Sequence, residues 1–535
     1  MLKFRRKTLL LVAVATIIFA AWLLYVPYRP ERLLRAIPAN AQILTTHQNL
    51  AARWPAILQN PVLQSLAMSV GVETTALNTL ATDPETLQWV RRLASRDTVL
   101  AYAPRLGASG RPAWVLTSWL GGDSQKLRLQ LLWFPPPGFE RHTPHNGAAF
   151  WTVRVPGLKP GIHLALAFAE GMVIATLGED STAMLEVLDT SAGILPSLAV
   201  ARGAKLSDYW CLAPTAPDHG WVDTGAFVRR KPNTPAPPPL TLSLTAIEPR
   251  YVEGNLCGPL PLPPAKTSAK PMEAGDLVKL TGNLPIIAAL VRTETALPSL
   301  SAALGPEWKD ELDAALRLQH ADRIALFLMG GDYGGRFYGF RIPALVAGFP
   351  VRAGDAMPGL LHGVLDRLNT QRGWGLIPRE IKVGNHTLYA VEGTTQNAFS
   401  LLPPEELPAY TVCDNWFLVA SSLRALTALV ARYDRPEVAE QAPSARWTDG
   451  LDIARGGAYG WVDFARARDE LRLIIAGYSL KLMLDDPRKA AGQRQQLNAF
   501  KGWLDALAPL GEAKLWLTSD GQLAALRFEI GKPAK

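Results

Sequence analysis

The tetrapeptide Gly-Trp-Val-Asp stands twice in the chain, at 220–223 and 460–463, each time just ahead of an apolar stretch. Chance, a reused active-site signature and a fold written twice all leave such a trace, and the last would constrain the architecture most. Other segments recur in the same order. QILTTHQNLAARW from Gln42 answers DLVKLTGNLPIIA from Asp276, each reading as an alternating strand that ends in Asn-Leu before a helical pattern. DTVLAYAP from Asp97 answers DRIALFLM from Asp322, and Gly110-Arg111 answers Gly335-Arg336. FWTVRVPG from Phe150 resembles HTLYAVEG from His386, and GMVIATLGEDSTAMLEVLD from Gly171 resembles NWFLVASSLRALTALVARYD from Asn415. The offsets stay roughly between 225 and 245 residues and never change order. A duplicated fold is the reading that accounts for all of them.

The expected organisation is a first repeat at 37–257, a Pro-rich linker at 258–274 and a second repeat at 275–531. The second carries a helical insert at about 464–508, where the first has the extended KPNTPAPPP at 231–239. Short alternating strands joined by Gly-containing turns imply antiparallel pairing, since such turns are too short for parallel crossovers. The expected class is α+β, with helices covering mainly antiparallel sheet. A length of 535 residues agrees with several domains rather than one.

The N-terminus points to a membrane. MLKFRRK (1–7) is basic, and the uncharged run that follows reaches Val26, with Trp22, Tyr25 and Tyr28 at its far end. About 19 apolar residues suffice to cross a hydrocarbon core, and amphipathic rings favour its interface. Ala13-Val14-Ala15 lies inside the run, where a signal-peptidase site would not be, so an uncleaved transmembrane anchor at 8–28 is expected. The expected partner of that segment is the lipid bilayer, with 1–7 in the cytoplasm and the bulk in the periplasm. Net charge is +8, but residues 1–36 hold seven Lys or Arg and one Glu, leaving the rest near +2. A basic face for nucleic acid is therefore excluded.

Catalytic signatures are mostly missing. The repeated Asp223 and Asp463 could form a carboxylate pair, but each stands where a strand gives way to a helical pattern, the place of an N-cap. Asn49 and Asn283 occupy the analogous place in the opening strand–helix unit, with Pro285 suited to a first helical turn. Trp221 and Trp461 read as core anchors. His142-Thr143-Pro144-His145 has two imidazoles and no further ligand nearby in sequence, so it reads as exposed loop. Of three cysteines, Cys211 and Cys257 could pair on strands of the first half, burial as small hydrophobes being the alternative, and Cys413 is left over. No catalytic residue, metal or cofactor is assigned.

The apolar span followed by RAIPANAQILTTHQNLAARWPAILQNPVL resembles the YfaA-like family of bacterial envelope proteins. That resemblance implies a home in the inner membrane, alongside α2-macroglobulin-like proteins as partners, and carries over no catalytic residue. The functional expectation is a membrane-tethered, non-enzymatic binding or scaffolding protein of the cell envelope. Its alternatives are a hydrolase with a site between the repeats, or an accessory transport subunit that handles an apolar ligand.

Overall fold

The computed structural model describes residues 10–19, 26–69, 74–154, 161–201, 215–227, 239–258, 274–294, 305–319, 323–337, 340–352, 356–394, 402–435, 446–448, 457–485, 497–498, 500–502, 505, 508–519 and 524–531. The chain divides into two compact units. The first comprises 1–60, 73–249 and 254–259; the second comprises 61–72, 250–253 and 260–535.

Among the described residues, twenty strands take part in antiparallel ladders. They are β1 (Ile43–Gln48), β2 (Asp97–Leu106), β3 (Arg111–Trp119), β4 (Phe139–Arg141), β5 (Ala149–Val153), β6 (His163–Ala169), β7 (Met172–Gly178), β8 (Asp218–Val222), β9 (Leu240–Glu248) and β10 (Tyr251–Gly258). Then come β11 (Pro285–Arg292), β12 (Arg323–Met329), β13 (Ala344–Pro350), β14 (Leu376–Val383), β15 (His386–Gly393), β16 (Ala409–Cys413), β17 (Trp416–Ala420), β18 (Ala458–Asp463), β19 (Glu512–Ser519) and β20 (Ala524–Gly531). A small ribbon pairs Arg336–Phe337 with Phe340–Arg341. The helices that matter below are α1 (10–19), α2 (Leu50–Gln59), α3 (Gly122–Trp133), α4 (Ala183–Ser191), α5 (Thr224–Phe227), α6 (Ala274–Thr281), α7 (Ala356–Arg372), α8 (Leu423–Tyr433) and α9 (Phe464–Asp485).

The two units repeat one strand order. In the first the neighbours run β4-β5-β6-β7-β3-β2-β1-β8-β9. In the second they run β14-β15-β16-β17-β13-β12-β11-β18-β19. The registers match too. Leu44 faces Trp221 on one side and Ala101 on the other, and Ala101 faces Val115. Ala288 likewise faces Trp461 and Phe327, and Phe327 faces Val346.

These registered residues all point to one face, because side chains alternate along a strand and opposed residues share a side. In the first unit that face packs with Met184, Val187 and Leu188 of α4, in the second with Leu426, Leu429 and Val430 of α8 and with Trp447. α8 starts cleanly because the Ser422 hydroxyl accepts from the Ala425 N–H at 3.2 Å. On the opposite face a smaller core under α3 gathers Trp151, Leu166 and Phe168, and its counterpart includes Met357 and Leu365 of α7 with Tyr410 and Phe417.

Three expectations need correction. The first concerns the apolar run, of which the structure describes residues 10–19 as helix α1. Among the described residues no helix is long and apolar enough to cross a membrane. The transmembrane helix at 8–28 and the single-pass inner-membrane placement are withdrawn on that finding. The fold is large antiparallel sheet with helices, and among the described residues it has no membrane-spanning helix ahead of it.

The second correction concerns Asn283 and Pro285. Asp276 and its neighbours belong to helix α6, and the strand equivalent to β1 is β11, which begins at Pro285. Asn283 lies in the turn between α6 and β11 and does not start a helix. The third is a slip of one residue, since the registers make Asp97 equivalent to Arg323 and not to Asp322. The Pro-rich segments at 231–239 and 258–274, and Cys211, lie almost wholly outside the described residues.

Candidate functional site

Both repeated aspartates serve their own helix. Asp223 Oδ1 accepts from the Gly225 N–H at 3.0 Å at the start of α5, and Asp463 Oδ1 accepts from the Arg466 N–H at 3.1 Å in the first turn of α9. Asp463→Ala is expected to cost about 1 kcal/mol, read as a lower denaturant midpoint, with Asp463→Asn recovering most of it. Asn49 precedes α2 in a left-handed conformation, φ 48°, and makes no side-chain cap bond, contrary to the expected capping role. Trp221 and Trp461 are 1 % and 4 % exposed and sit in the two main cores. Cys257 is disulfide-bonded.

Histidines mark the other polar clusters. His142 stacks on Phe150 at 4.8 Å and bonds Thr152, while His145 pairs with Asp189 at 2.7 Å. His386 Nε2 meets Asp434 Oδ1 at 2.9 Å and also Cys413 Sγ at 3.6 Å. A cysteine relay needs the acid and the thiol on different ring nitrogens, and here both crowd one. Burial, helped by the nearby Asp414 and Asp434 charges, pushes the Cys413 thiol from 9.0 up to about 12. Native Cys413 should therefore resist iodoacetamide at pH 8 and react after unfolding. The unfolded thiol ionises first, so this group removes stability as pH rises from 9.0 toward about 12.

The arrangement absent from the sequence reading lies on the sheet face opposite Trp221. Along that face three registered rows cross the first unit. One is Ile43, Tyr102, Trp114, Leu177 and Val222; the next is Thr45, Leu100, Leu116, Ala175 and Gly220. The third is His47, Thr98, Ser118, Val173 and Asp218. In the second unit the first row is Ile287, Leu328, Leu345 and Val462, and the second is Ala289, Leu326, Ala347, Val419 and Gly460. The first two rows remain partly open, Trp114 being 39 % exposed and the equivalent Leu345 54 %, whereas Thr98, Ser118, Val173 and Asp218 of the third are buried.

The third row separates the units. His47 and Asp218 of the first are replaced by Val291 and Ala458 in the second, and Thr45 of the second row by Ala289. In the first unit His47 Nδ1 meets Asp218 Oδ1 at 2.8 Å, and His47 Nε2 meets Thr45 Oγ1 at 3.0 Å. Arg53 of α2 grips the same carboxylate with both terminal nitrogens, one at 2.8 Å from Oδ1, and also donates to the Gln48 carbonyl. Thr98 and Ser118 bond each other at 3.0 Å beside them. Asp218 is 4 % exposed. Burial raises its pKa, but bonds and charge from Arg53 and His47 outweigh that, so it stays below the ordinary carboxylate value.

No family model, curated protein or solved structure matches this chain. The chemistry of the site rests on its own geometry. A carboxylate on one ring nitrogen of His47 and a hydroxyl on the other is the arrangement in which an imidazole is oriented by one partner and acts on the other. Among the described residues, no three or more His, Cys, Asp or Glu form a group able to hold a metal ion.

Proposed function

We propose that the chain is a binding protein whose working surface is the open apolar sheet face that each unit presents. The observation that carries this reading is positional. Ile43 and Ile287, Leu100 and Leu326, and Trp114 and Leu345 occupy equivalent registers, and each unit keeps an apolar side chain there that is half-buried or exposed. Isolated exposed apolar residues need no explanation, whereas a contiguous apolar patch marks a site of interaction. Tyr102 and Trp114 lie 5.2 Å apart on this face with their rings tilted 55° to each other, an aromatic pair for an apolar ligand to pack against.

The test is a titration with a long-chain fatty acid, followed by calorimetry on the full chain. Saturable binding is expected, and Trp114→Lys with Leu345→Lys should weaken it about tenfold or more, since each apolar contact of this size contributes about 1.5–3 kcal/mol when fully buried. Unchanged affinity in a variant with native circular dichroism would overturn the reading.

A further inference from the structure

We propose that Thr45, His47 and Asp218 form an acyl-transfer site that opens onto the apolar face of the first unit, and that its substrate is an ester with an apolar acyl group. The substrate class rests on the binding reading above; the acyl-transfer chemistry does not. Thr45 and His47 stand two apart on β1, which puts both side chains, each half-buried, on the face that carries Trp114. Asp218 reaches them from the neighbouring β8.

The two ring nitrogens of His47 have separate partners, Asp218 at 2.8 Å and Thr45 at 3.0 Å, as a relay through an imidazole demands. Opposite Thr45 stands Gly220, which has no side chain to occupy the space beside the hydroxyl. Leu100 and Leu116 adjoin it in the same row, where an acyl chain would lie.

The second unit supplies the independent observation. It builds the same strands in the same register with Ala289, Val291 and Ala458 at the three positions. The sheet itself has no need of the polar trio. A partly buried cluster of this kind costs desolvation that apolar side chains avoid, so its presence in one unit alone marks a task and not a packing requirement.

The step balances without any further reagent. Thr45 Oγ attacks the acyl carbonyl carbon while His47 Nε2 takes the hydroxyl proton. The bond to the leaving alcohol breaks, the departing oxygen takes that proton from Nε2, and Thr45 is left O-acylated. Water then attacks the ester, giving its proton to Nε2, and the acid leaves as the Thr45 hydroxyl is restored. Asp218, steadied by Arg53, is a positioning residue that holds the ring.

The experiment gives the purified full chain p-nitrophenyl acetate and p-nitrophenyl laurate, follows p-nitrophenol release, and looks for an acyl adduct by mass spectrometry. An adduct on Thr45 is expected, with laurate preferred over acetate. Thr45→Ala and His47→Gln should each slow acylation at least about 100-fold, while Thr45→Ser keeps it. Asp218→Asn should change the shape of the pH–rate profile, which a merely structural role would leave alone.

No adduct on Thr45 in folded protein, or equal rates in folded Thr45→Ala, would overturn the site even if fatty acid binds. Acylation of Thr45 by both esters at equal rates, unaffected by Trp114→Lys, would keep the chemistry and overturn the apolar substrate class.

Discussion

Trp461→Ala is expected to destabilise the second unit by about 3–5 kcal/mol, measured as a shift in its urea-unfolding transition. The indole is 4 % exposed and lies between Ala288 on β11 and Lys514 on β19, neither of them a bulky apolar side chain to refill the space it leaves. Trp461→Phe should recover part of the loss, because it returns much of the apolar area without the full volume. Trp221→Ala should behave alike in the first unit, where Leu44 faces the ring. A much smaller loss at either position would mean that the two main cores are not organised around these rings.

Asp218→Ala should cost about 3 kcal/mol or more, because it strands Arg53 and His47 beside a partly buried site. The more telling variant copies the second unit: Thr45→Ala, His47→Val and Asp218→Ala together, with Arg53→Met to remove the orphaned cation. That replacement should return most of the stability or exceed the parent, since an apolar set already serves at these registers. The two thermal unfolding curves decide it. The acid limb has a definite sign: the Asp218 pKa is lowered on folding, so its contribution is present above the unfolded value of 3.8 and fades as pH falls through the folded one.

Much of the repeat was legible in the sequence, though unevenly. Gly-Trp-Val-Asp marked β8 and β18 in the correct register, and the Gly171 and Asn415 segments marked β7 with α4 and β17 with α8. Those stretches carry a turn or helix whose periodicity changes from two to 3.6, which pins the alignment. β2 and β12 slipped by one because IALFLM is apolar at every position, so alternation gives no phase to read.

The opening strand was misplaced for a related reason. DLVKLTGN ends in the same Asn as TTHQN, although it folds as a helix, and β11 hides in the all-apolar PIIAALV beyond it. That misplacement also hid the site. It set His47 against Thr281, polar against polar, where the true partner is Val291. His47 and Asp218 are 171 residues apart, and only strand register brings them together.

The position of β1 has a consequence during synthesis. It needs β2 on one side and β8 on the other, and β8 is made only after the whole stretch from Leu106 to Asp218. At the roughly 5–20 residues per second of translation, that interval is on the order of ten seconds. Throughout it the emerging chain holds a strand with one bare hydrogen-bonding edge, a template for any other extended segment nearby. β11 repeats the exposure while it waits for β18. A newly made chain thus passes two windows in which a chaperone that shields strand edges would decide whether it reaches its own partner or a stranger's.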